Sequence, residues 1–232
     1  MREQLDLNLM PRTWGGKREG AGRKKSPMRR DPQHLSRPEH VGRYPLHVVL
    51  RVREELGRLR RREVYKATHR ALLRIVERVA FRVVHVSLQH NHIHLLVEAG
   101  TSADLESGMR ALTISLARRI NSFLERRGKV FECRYHSTPL TSPRQTRNAL
   151  AYVLNNWRRH REDERGFHER TMILDPYSSA ISFTGWSDFT LRQWPDGYVA
   201  FPVSPAQTWL LSTGWEKSRR PIRTSDTPGP IG

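Results

Sequence analysis

The first clear pattern along the chain is an alternation of apolar and polar residues over positions 44–52. Because successive side chains of a strand point to opposite faces, this alternation predicts a strand with one buried face. After a charged turn over positions 58–62, apolar residues recur every three or four positions from Val64 to Val79. That spacing predicts an amphipathic helix.

A hairpin is predicted next. Residues 81–88 are rich in β-branched side chains, which favour a strand, and residues 92–98 alternate again after a short link. In the second of these strands, alternate positions fall on opposite faces. The apolar positions face a core, and His92 and His94 lie side by side on the other face.

A second helix and a fourth strand complete the pattern. Thr101 or Ser102 can cap the helix, apolar residues recur from position 105 to position 123, and Gly128 is placed to stop it. Residues 129–135 are then interpreted as a strand. The order strand, helix, strand, strand, helix, strand is that of a ferredoxin-like fold. We therefore predict an α+β fold, with a four-stranded antiparallel sheet and two helices on one face.

A third helix is predicted near the open face of that sheet. Residues 142–145, Ser-Pro-Arg-Gln, form a capping box with proline at the first helical position. Tyr152 and Asn156 are four positions apart, so they project from the same side of the helix. This helix can present a phenol and an amide to His92 and His94.

The chain divides into three predicted parts. Residues 1–41 form a flexible basic arm without apolar periodicity, and residues 42–162 form the folded domain. Residues 163–232 form an extension rich in aromatic residues, whose end from position 217 is expected to be disordered. The extension has three open roles: covering the active site, contacting DNA, or stabilising the domain.

Charge points to nucleic acid as the partner. The 232 residues include 41 Lys and Arg against 23 Asp and Glu, for a formal net charge of +18. No apolar run is long enough to cross a membrane, and no signal peptide is evident. The single cysteine, Cys133, excludes an intrachain disulfide and a cysteine-based zinc site. We expect a cytoplasmic, nucleoid-associated protein that does not bind membranes.

The chemistry allowed by these side chains is specific. Neutral histidines are common ligands of divalent ions, so His92, His94 and the amide oxygen of Asn156 can together hold a metal. Such an ion polarises a phosphate and leaves open positions for its oxygens. The phenol of Tyr152 can then attack phosphorus and form a phosphotyrosine. The alternative is a pair of histidines on a solvated sheet face.

Residues 44–160 resemble the HUH single-tyrosine transposases, in particular the REP-associated tyrosine transposases with an IS200-like domain. The resemblance rests on YPLHV at 44–48, NHIHLLVE at 91–98, RGKVF at 127–131 with Arg134-Tyr135, and AYVLNN at 151–156. A Gly-Gly-Lys-Arg arm at 15–25 is similar to one that precedes the domain in some relatives.

The resemblance implies a site and partners. Tyr152 would be the nucleophile, with His92, His94 and Asn156 as ligands of Mg²⁺ or Mn²⁺. Substrates would be single-stranded or hairpin DNA, cut and rejoined by a monomer or a homodimer. The predicted DNA contacts are basic residues of the arm and the domain: Lys17, Arg18, Arg23, Lys24, Lys25, Arg134, Arg158 and Arg159. The arm is either a minor-groove clamp or a flexible tether with salt-dependent affinity.

Some positions depart from the family or compete with these assignments. Relatives often carry proline in place of His90, which is interpreted as a turn residue, with an auxiliary ligand or base as the alternative. Relatives commonly also have proline where Trp157 stands. Tyr135 is an alternative nucleophile, but a packing or DNA-contact role is favoured for a strand residue. Glu98 is interpreted as a solvated carboxylate.

Three other functions compete with DNA cleavage by tyrosine. A two-histidine RNA phosphoesterase generally needs two His-x-Thr/Ser motifs, and the chain has one His-x-His. A literal HNH nuclease disperses its motif, whereas His90, Asn91 and His92 are contiguous. A domesticated hairpin-binding protein that no longer cuts remains the alternative, although all four chemical residues are present.

Overall fold

The sheet has the ferredoxin-like topology that the sequence predicts. The computed structural model describes residues 39–164, 172–190, 197–226 and 229. Its four strands are β1 Leu46–Arg51, β2 Phe81–Leu88, β3 His92–Ala99 and β4 His136–Pro139. They pair antiparallel in the order β2-β3-β1-β4, so that the predicted hairpin of β2 and β3 forms one side of the sheet.

Helices lie on both faces of this sheet. The helices are α1 Arg62–Leu73, α2 Ser102–Phe123, α3 Pro143–Arg159 and the short α4 Trp209–Ser212. Single 3₁₀ turns occur at Glu54–Leu56, Glu162–Glu164, Ala180–Ser182 and Gly214–Ser218. No helix in the described part of the chain is long and apolar enough to cross a membrane.

Two apolar cores follow from the alternation of side chains along β3. Ile93, Leu95 and Val97 are buried with the apolar sides of α1 and α2, as predicted. Leu96 points to the opposite face and is buried with the apolar side of α3, including Val153. The sheet is therefore covered on both faces, and α3 lies over the face that carries His92 and His94.

The capping signals place the starts of α2 and α3 correctly. The side chain of Thr101 accepts a hydrogen bond from the backbone N–H of Asp104, and that of Ser142 accepts one from Gln145. The Gln145 side chain reaches back to the backbone N–H of Thr141, at 2.8 Å. Each cap satisfies N–H groups that the first turn of a helix leaves unpaired.

The predicted ends of two helices were wrong. The helix α1 stops at Leu73, and Val79 is 86% exposed, because the chain turns there to enter β2. The helix α2 stops at Phe123 rather than near Gly128. Gly128 instead adopts a φ of 102° in the following loop, a conformation that favours glycine.

The fourth strand was predicted in the wrong place. Residues 129–135 make only an isolated bridge between Phe131 and Val52, and the strand that pairs with β1 is His136–Pro139. Short, polar strands are common at sheet edges, where they discourage pairing with other chains. Such a strand has no apolar alternation to reveal it.

The extension is also more ordered than predicted. Residues 217–226 pack against α3, where Ile222 is fully buried and bridges to Trp186. The expected disorder from position 217 is therefore wrong as far as residue 226. This packing supports a stabilising role for the extension. The predicted DNA contacts of the arm lie outside the described residues: Lys17, Arg18, Arg23, Lys24 and Lys25.

Candidate active site

The two predicted histidine ligands converge on one point. His92 and His94 lie on the face of β3 that α3 covers, and their Nε2 atoms are 2.8 Å apart. Two nitrogens about 2.1 Å from one octahedral ion, at right angles, would be about 3 Å apart. The separation of the two imidazoles therefore fits a shared divalent ion.

Each imidazole is held through its other nitrogen. His92 Nδ1 lies 2.8 Å from Asn91 Oδ1, an acceptor, so Nδ1 carries the proton and Nε2 keeps its lone pair. His94 Nδ1 lies 3.0 Å from Nε2 of His47, which β1 places diagonally across the sheet. Partners of this kind orient histidine ligands and set their tautomer.

The helix α3 brings three polar side chains over the histidines. Tyr152, Asn156 and His160 are spaced four residues apart and so share one side of the helix. The ring centroid of Tyr152 lies 5.1 Å from that of His94, and the centroid of His160 lies 6.0 Å from that of His92. Asn156 lies between these two residues on the same side of the helix.

The side chain of Asn156 has an unused pair of polar atoms. It is fully buried, and neither its oxygen nor its nitrogen has a hydrogen-bond partner among the described residues. Leaving a buried polar group unpaired costs about 1–3 kcal/mol. A buried amide without a partner, on the side of α3 that also carries Tyr152 and His160, fits a metal ligand. No group of three or more His, Cys, Asp or Glu suited to a metal occurs in the described ranges, so the fit depends on this amide.

Burial keeps the histidines neutral by lowering their pKa. Burial, followed by the positive fields of His160 and Arg51, lowers the pKa of His92 to about 4. Burial likewise lowers the pKa of His94 well below its usual value, and that of His47 to about 4. Metal ligation requires neutral imidazole, which these residues offer at pH 7.

The three domain residues predicted to contact DNA differ in exposure. Arg134 and Arg159 are exposed, whereas Arg158 is half-buried. The guanidinium of Arg158 is held by Asp163, at 3.0 Å, and by two backbone carbonyls of the extension. These contacts give Arg158 a structural role, and they occupy the guanidinium nitrogens that a DNA phosphate would bind.

The structure also settles the environment of residues with open roles. His90 is exposed in the β2–β3 turn, where its carbonyl accepts a hydrogen bond from Leu59. Tyr135 is partly buried against the core formed with α1 and α2, so it packs as favoured. The interpretation of Glu98 as solvated was wrong. It is fully buried, and it accepts hydrogen bonds from Arg82, Gln207 and Thr208.

Two residues near the site were missed by the sequence analysis. His160 extends the four-residue spacing of Tyr152 and Asn156, so the helical period alone contained the signal. His47 required the register of β1 against β3, which pairs His47 with Leu96 and so places it diagonally from His94. A sequence pattern within one strand does not contain that register.

Comparisons with known proteins gave a family-model match and likenesses to solved structures. A family model described as transposase, IS200-like, matches residues 40–156, just over half of the chain. A solved REP-associated tyrosine transposase bound to a REP hairpin is 13% identical, covering 56% of this chain and 74% of that one, with a TM-score of 0.46. A chain from Deinococcus radiodurans R1 with a transposase designation is 17% identical, covering 49% and 87%, with a TM-score of 0.35. No curated protein sequence matches.

Proposed function

Because this chain belongs to the IS200-like transposase family, we propose that it cleaves single-stranded DNA through a covalent bond to Tyr152. The observation that carries the proposal is the position of the Tyr152 ring against His94, 5.1 Å between centroids. The unpartnered Asn156 side chain projects from the same side of α3. Nucleophile and ligands thus come from two rigid elements of one chain.

His92, His94 and Asn156 would hold a divalent ion, Mg²⁺ or Mn²⁺. When bound, such an ion supplies charge to stabilise the phosphate oxygens in the transition state. Asn91 and His47 would orient the two imidazoles, through contacts of 2.8 and 3.0 Å. Burial of His94 and Asn156 lowers the local dielectric constant and so strengthens the electrostatic interactions at the ion.

The proposed reaction exchanges one ester for another. The Tyr152 hydroxyl loses its proton to a base or to solvent, and its oxygen forms a bond to phosphorus. The bond from phosphorus to the 3′ oxygen of the neighbouring nucleotide breaks, and that oxygen takes up a proton. The product is a 5′-phosphotyrosine, whose ester energy allows a free 3′ hydroxyl to reverse the step or to join another strand.

We propose hairpin-forming DNA as the substrate. The net charge of +18 and the exposed Arg134 and Arg159 suit a polyanion. Since α3 of the chain reaches its own histidine pair, a monomer would suffice for cleavage, and a homodimer is not required for the chemistry.

The test is denaturing electrophoresis of the protein with end-labelled hairpin DNA that has single-stranded flanks, in the presence of Mn²⁺. We expect wild type to give a covalent adduct and Tyr152→Phe and His92→Ala to give none. Tyr135→Phe, which changes another partly buried tyrosine, is the matched control and should keep the adduct. Circular dichroism checks that all variants fold.

The outcomes separate the alternatives. An adduct that survives Tyr152→Phe but is lost in Tyr135→Phe would show that the nucleophile is Tyr135. Tight binding without any adduct, across several hairpins and both metals, would overturn cleavage and favour a domesticated hairpin-binding protein.

A further inference from the structure

A groove of about 690 Å³ lies on the surface of α1, on the side of the sheet opposite α3. The helix α1 forms one wall, and residues 176–177 and 197–199 of the extension form the other. The groove shares no residue with the site of His92, His94 and Tyr152. The proposed cleavage therefore leaves it unexplained.

One wall of the groove is a row of uncompensated positive charge. Arg62, Lys66 and Arg70 are exposed and spaced four residues apart, so they form a single column along α1. None of them is in an ion pair within the described residues, and no carboxylate lines the described part of the groove. A column of this kind attracts a polyanion rather than a neutral ligand.

The aromatic rings of the groove come from both of its walls. Tyr65 lies on α1, Tyr177 and Tyr198 belong to the extension, and Phe123 is the last residue of α2. The Tyr65 ring packs on Phe201, 4.2 Å between centroids, and edge-on against Tyr177, at 6.0 Å. Its hydroxyl donates to the carbonyl of Val199, at 2.6 Å. These contacts hold the rings of Tyr65 and Tyr177 in place.

The wall formed by the extension is anchored to the sheet. The carbonyl of Tyr177 accepts a hydrogen bond from the backbone N–H of Leu88, at 2.9 Å, and the Arg60 guanidinium lies over the Tyr177 ring, 4.7 Å from its centroid. Leu88 pairs with Ile93, the neighbour of His92. The groove thus begins at the edge of the sheet close to the end that carries the histidines.

We propose that this groove binds unpaired nucleotides of a DNA strand. Their bases would stack on the tyrosines, and their phosphates would contact Arg62, Lys66 and Arg70. Aromatic platforms beside a basic track are the usual means of holding single strands. Four residues of helix advance by about 6 Å, which is comparable with the distance between successive phosphates of an extended strand.

The proposal assigns the DNA segment beyond the cleavage site to a place on the protein. It rests on the proposed function only in that DNA is the ligand, and it requires neither the metal nor Tyr152. The binding test is therefore done in EDTA, where a failure of cleavage has no influence on the result.

The experiment measures fluorescence anisotropy of the full chain with two labelled hairpins, one with a short oligothymidine tail and one without. We expect Lys66→Ala/Arg70→Ala to weaken binding of the tailed hairpin at least about fivefold, and to reduce its salt slope by about 1.4 for two lost phosphate contacts. Binding of the hairpin without a tail should be unchanged. The matched control, Arg110→Ala/Arg118→Ala, removes two exposed arginines of α2 that lie outside the groove.

A second pair of variants tests the aromatic rings of the groove. Tyr198→Ala should weaken binding of the tailed hairpin about fivefold or more, and Tyr198→Phe, which keeps the ring, should restore it. Thermal melting shows whether each variant is folded.

Several results would overturn the proposal. One is an equal loss of affinity for both hairpins. Another is unchanged binding in the folded groove variants. A third is competition by polyglutamate that depends on Lys66 and Arg70 while the tail has no effect, which would assign the groove to an acidic peptide.

Discussion

Asn155 and Asn156 are neighbours on α3 and are both buried, but their side chains differ in hydrogen bonding. The Asn155 side chain donates a hydrogen bond to the carbonyl of Arg223, at 2.9 Å, and so ties the extension to the helix. The Asn156 side chain has no partner among the described residues. The first amide stabilises the fold, whereas the second is available to a ligand.

This contrast gives a prediction with an internal control. Asn156→Leu should leave the free energy of unfolding unchanged or raise it by up to about 2 kcal/mol, because it removes an unpaired buried amide. Asn155→Leu should lower it by about 1–3 kcal/mol, because the Arg223 carbonyl loses its donor. Urea denaturation in EDTA measures both. Equal destabilisation by the two substitutions would contradict the assignment.

The same two variants separate metal binding from stability. Calorimetric titration with Mn²⁺ should show a loss of affinity in Asn156→Leu and none in Asn155→Leu.

His85 provides a residue-scale prediction about pH. It is buried, with Ser179 Oγ 3.1 Å from its Nδ1, and burial lowers its pKa to about 4. As pH falls below 6.5, the unfolded chain takes up a proton here before the folded one does. The contribution of neutral His85 to the free energy of unfolding should therefore be complete above pH 6.5. It should be lost as the pH falls from 6.5 to about 4, and the loss amounts to about 3 kcal/mol.

The measurement is the free energy of unfolding between pH 7 and pH 4, for wild type and His85→Asn. The variant cannot take up the proton at this position. Its free energy of unfolding should therefore fall by about 3 kcal/mol less than that of wild type between pH 7 and pH 4. An identical pH dependence in the two proteins would show that His85 titrates equally in both states.

At the scale of elements, β3 is joined to the extension through one carboxylate. Glu98 at the end of β3 is fully buried. It accepts hydrogen bonds from the guanidinium of Arg82, at 2.8 Å, and from the backbone N–H groups of Gln207 and Thr208. A buried carboxylate is tolerated when its oxygens are satisfied in this way. The contact fixes the chain just before α4.

Removing this carboxylate should be costly. Glu98→Ala removes the carboxylate partner of Arg82 and the acceptor of two N–H groups, and we expect it to lower the free energy of unfolding by about 3–5 kcal/mol. The control is Glu132→Ala, since Glu132 pairs with Arg51 at 3.9 Å on the surface, and its loss should cost at most about 1 kcal/mol. If chemical denaturation showed similar losses of unfolding free energy in the two variants, the stabilising role of the buried Glu98 carboxylate would be refuted.

At the scale of the whole molecule, the extension completes the core over α3. Trp186, Leu211, Trp215 and Ile222 are buried together with the apolar side of that helix. Arg60 and Asp175 add a buried ion pair at 2.8 Å between the loop before α1 and the extension. The described residues from 39 to 226 therefore stabilise one another, and α3 is held between the sheet and the extension.

Two tryptophans of the extension test this arrangement. Trp215 is 7% exposed, and Trp215→Ala should lower the free energy of unfolding by about 3–5 kcal/mol through the cavity that it leaves. Trp209 is 56% exposed, and Trp209→Ala should cost much less. Thermal and urea unfolding compare them. If α3 is held by the extension, Trp215→Ala should also reduce formation of the covalent adduct, and an unchanged yield would contradict that link.

Local patterns in the sequence determined most of the fold and part of the candidate site. The alternation along β3 separates Ile93 from His92, and the helical period of α3 puts Tyr152 and Asn156 on one side. Caps at Thr101 and Ser142 fix where helices begin, because they depend on hydrogen bonds within a few residues. The order of the elements then selected a ferredoxin-like topology.

Tertiary structure decided what depends on pairing between distant segments. The partner of His94, the position of β4, the burial of Glu98 and the groove beside α1 all follow from such pairing. A histidine or a carboxylate has the same identity in the sequence whether water or a distant segment surrounds it. Burial and register, which emerge only when the chain is folded, determine whether it ligates, clamps or is merely solvated.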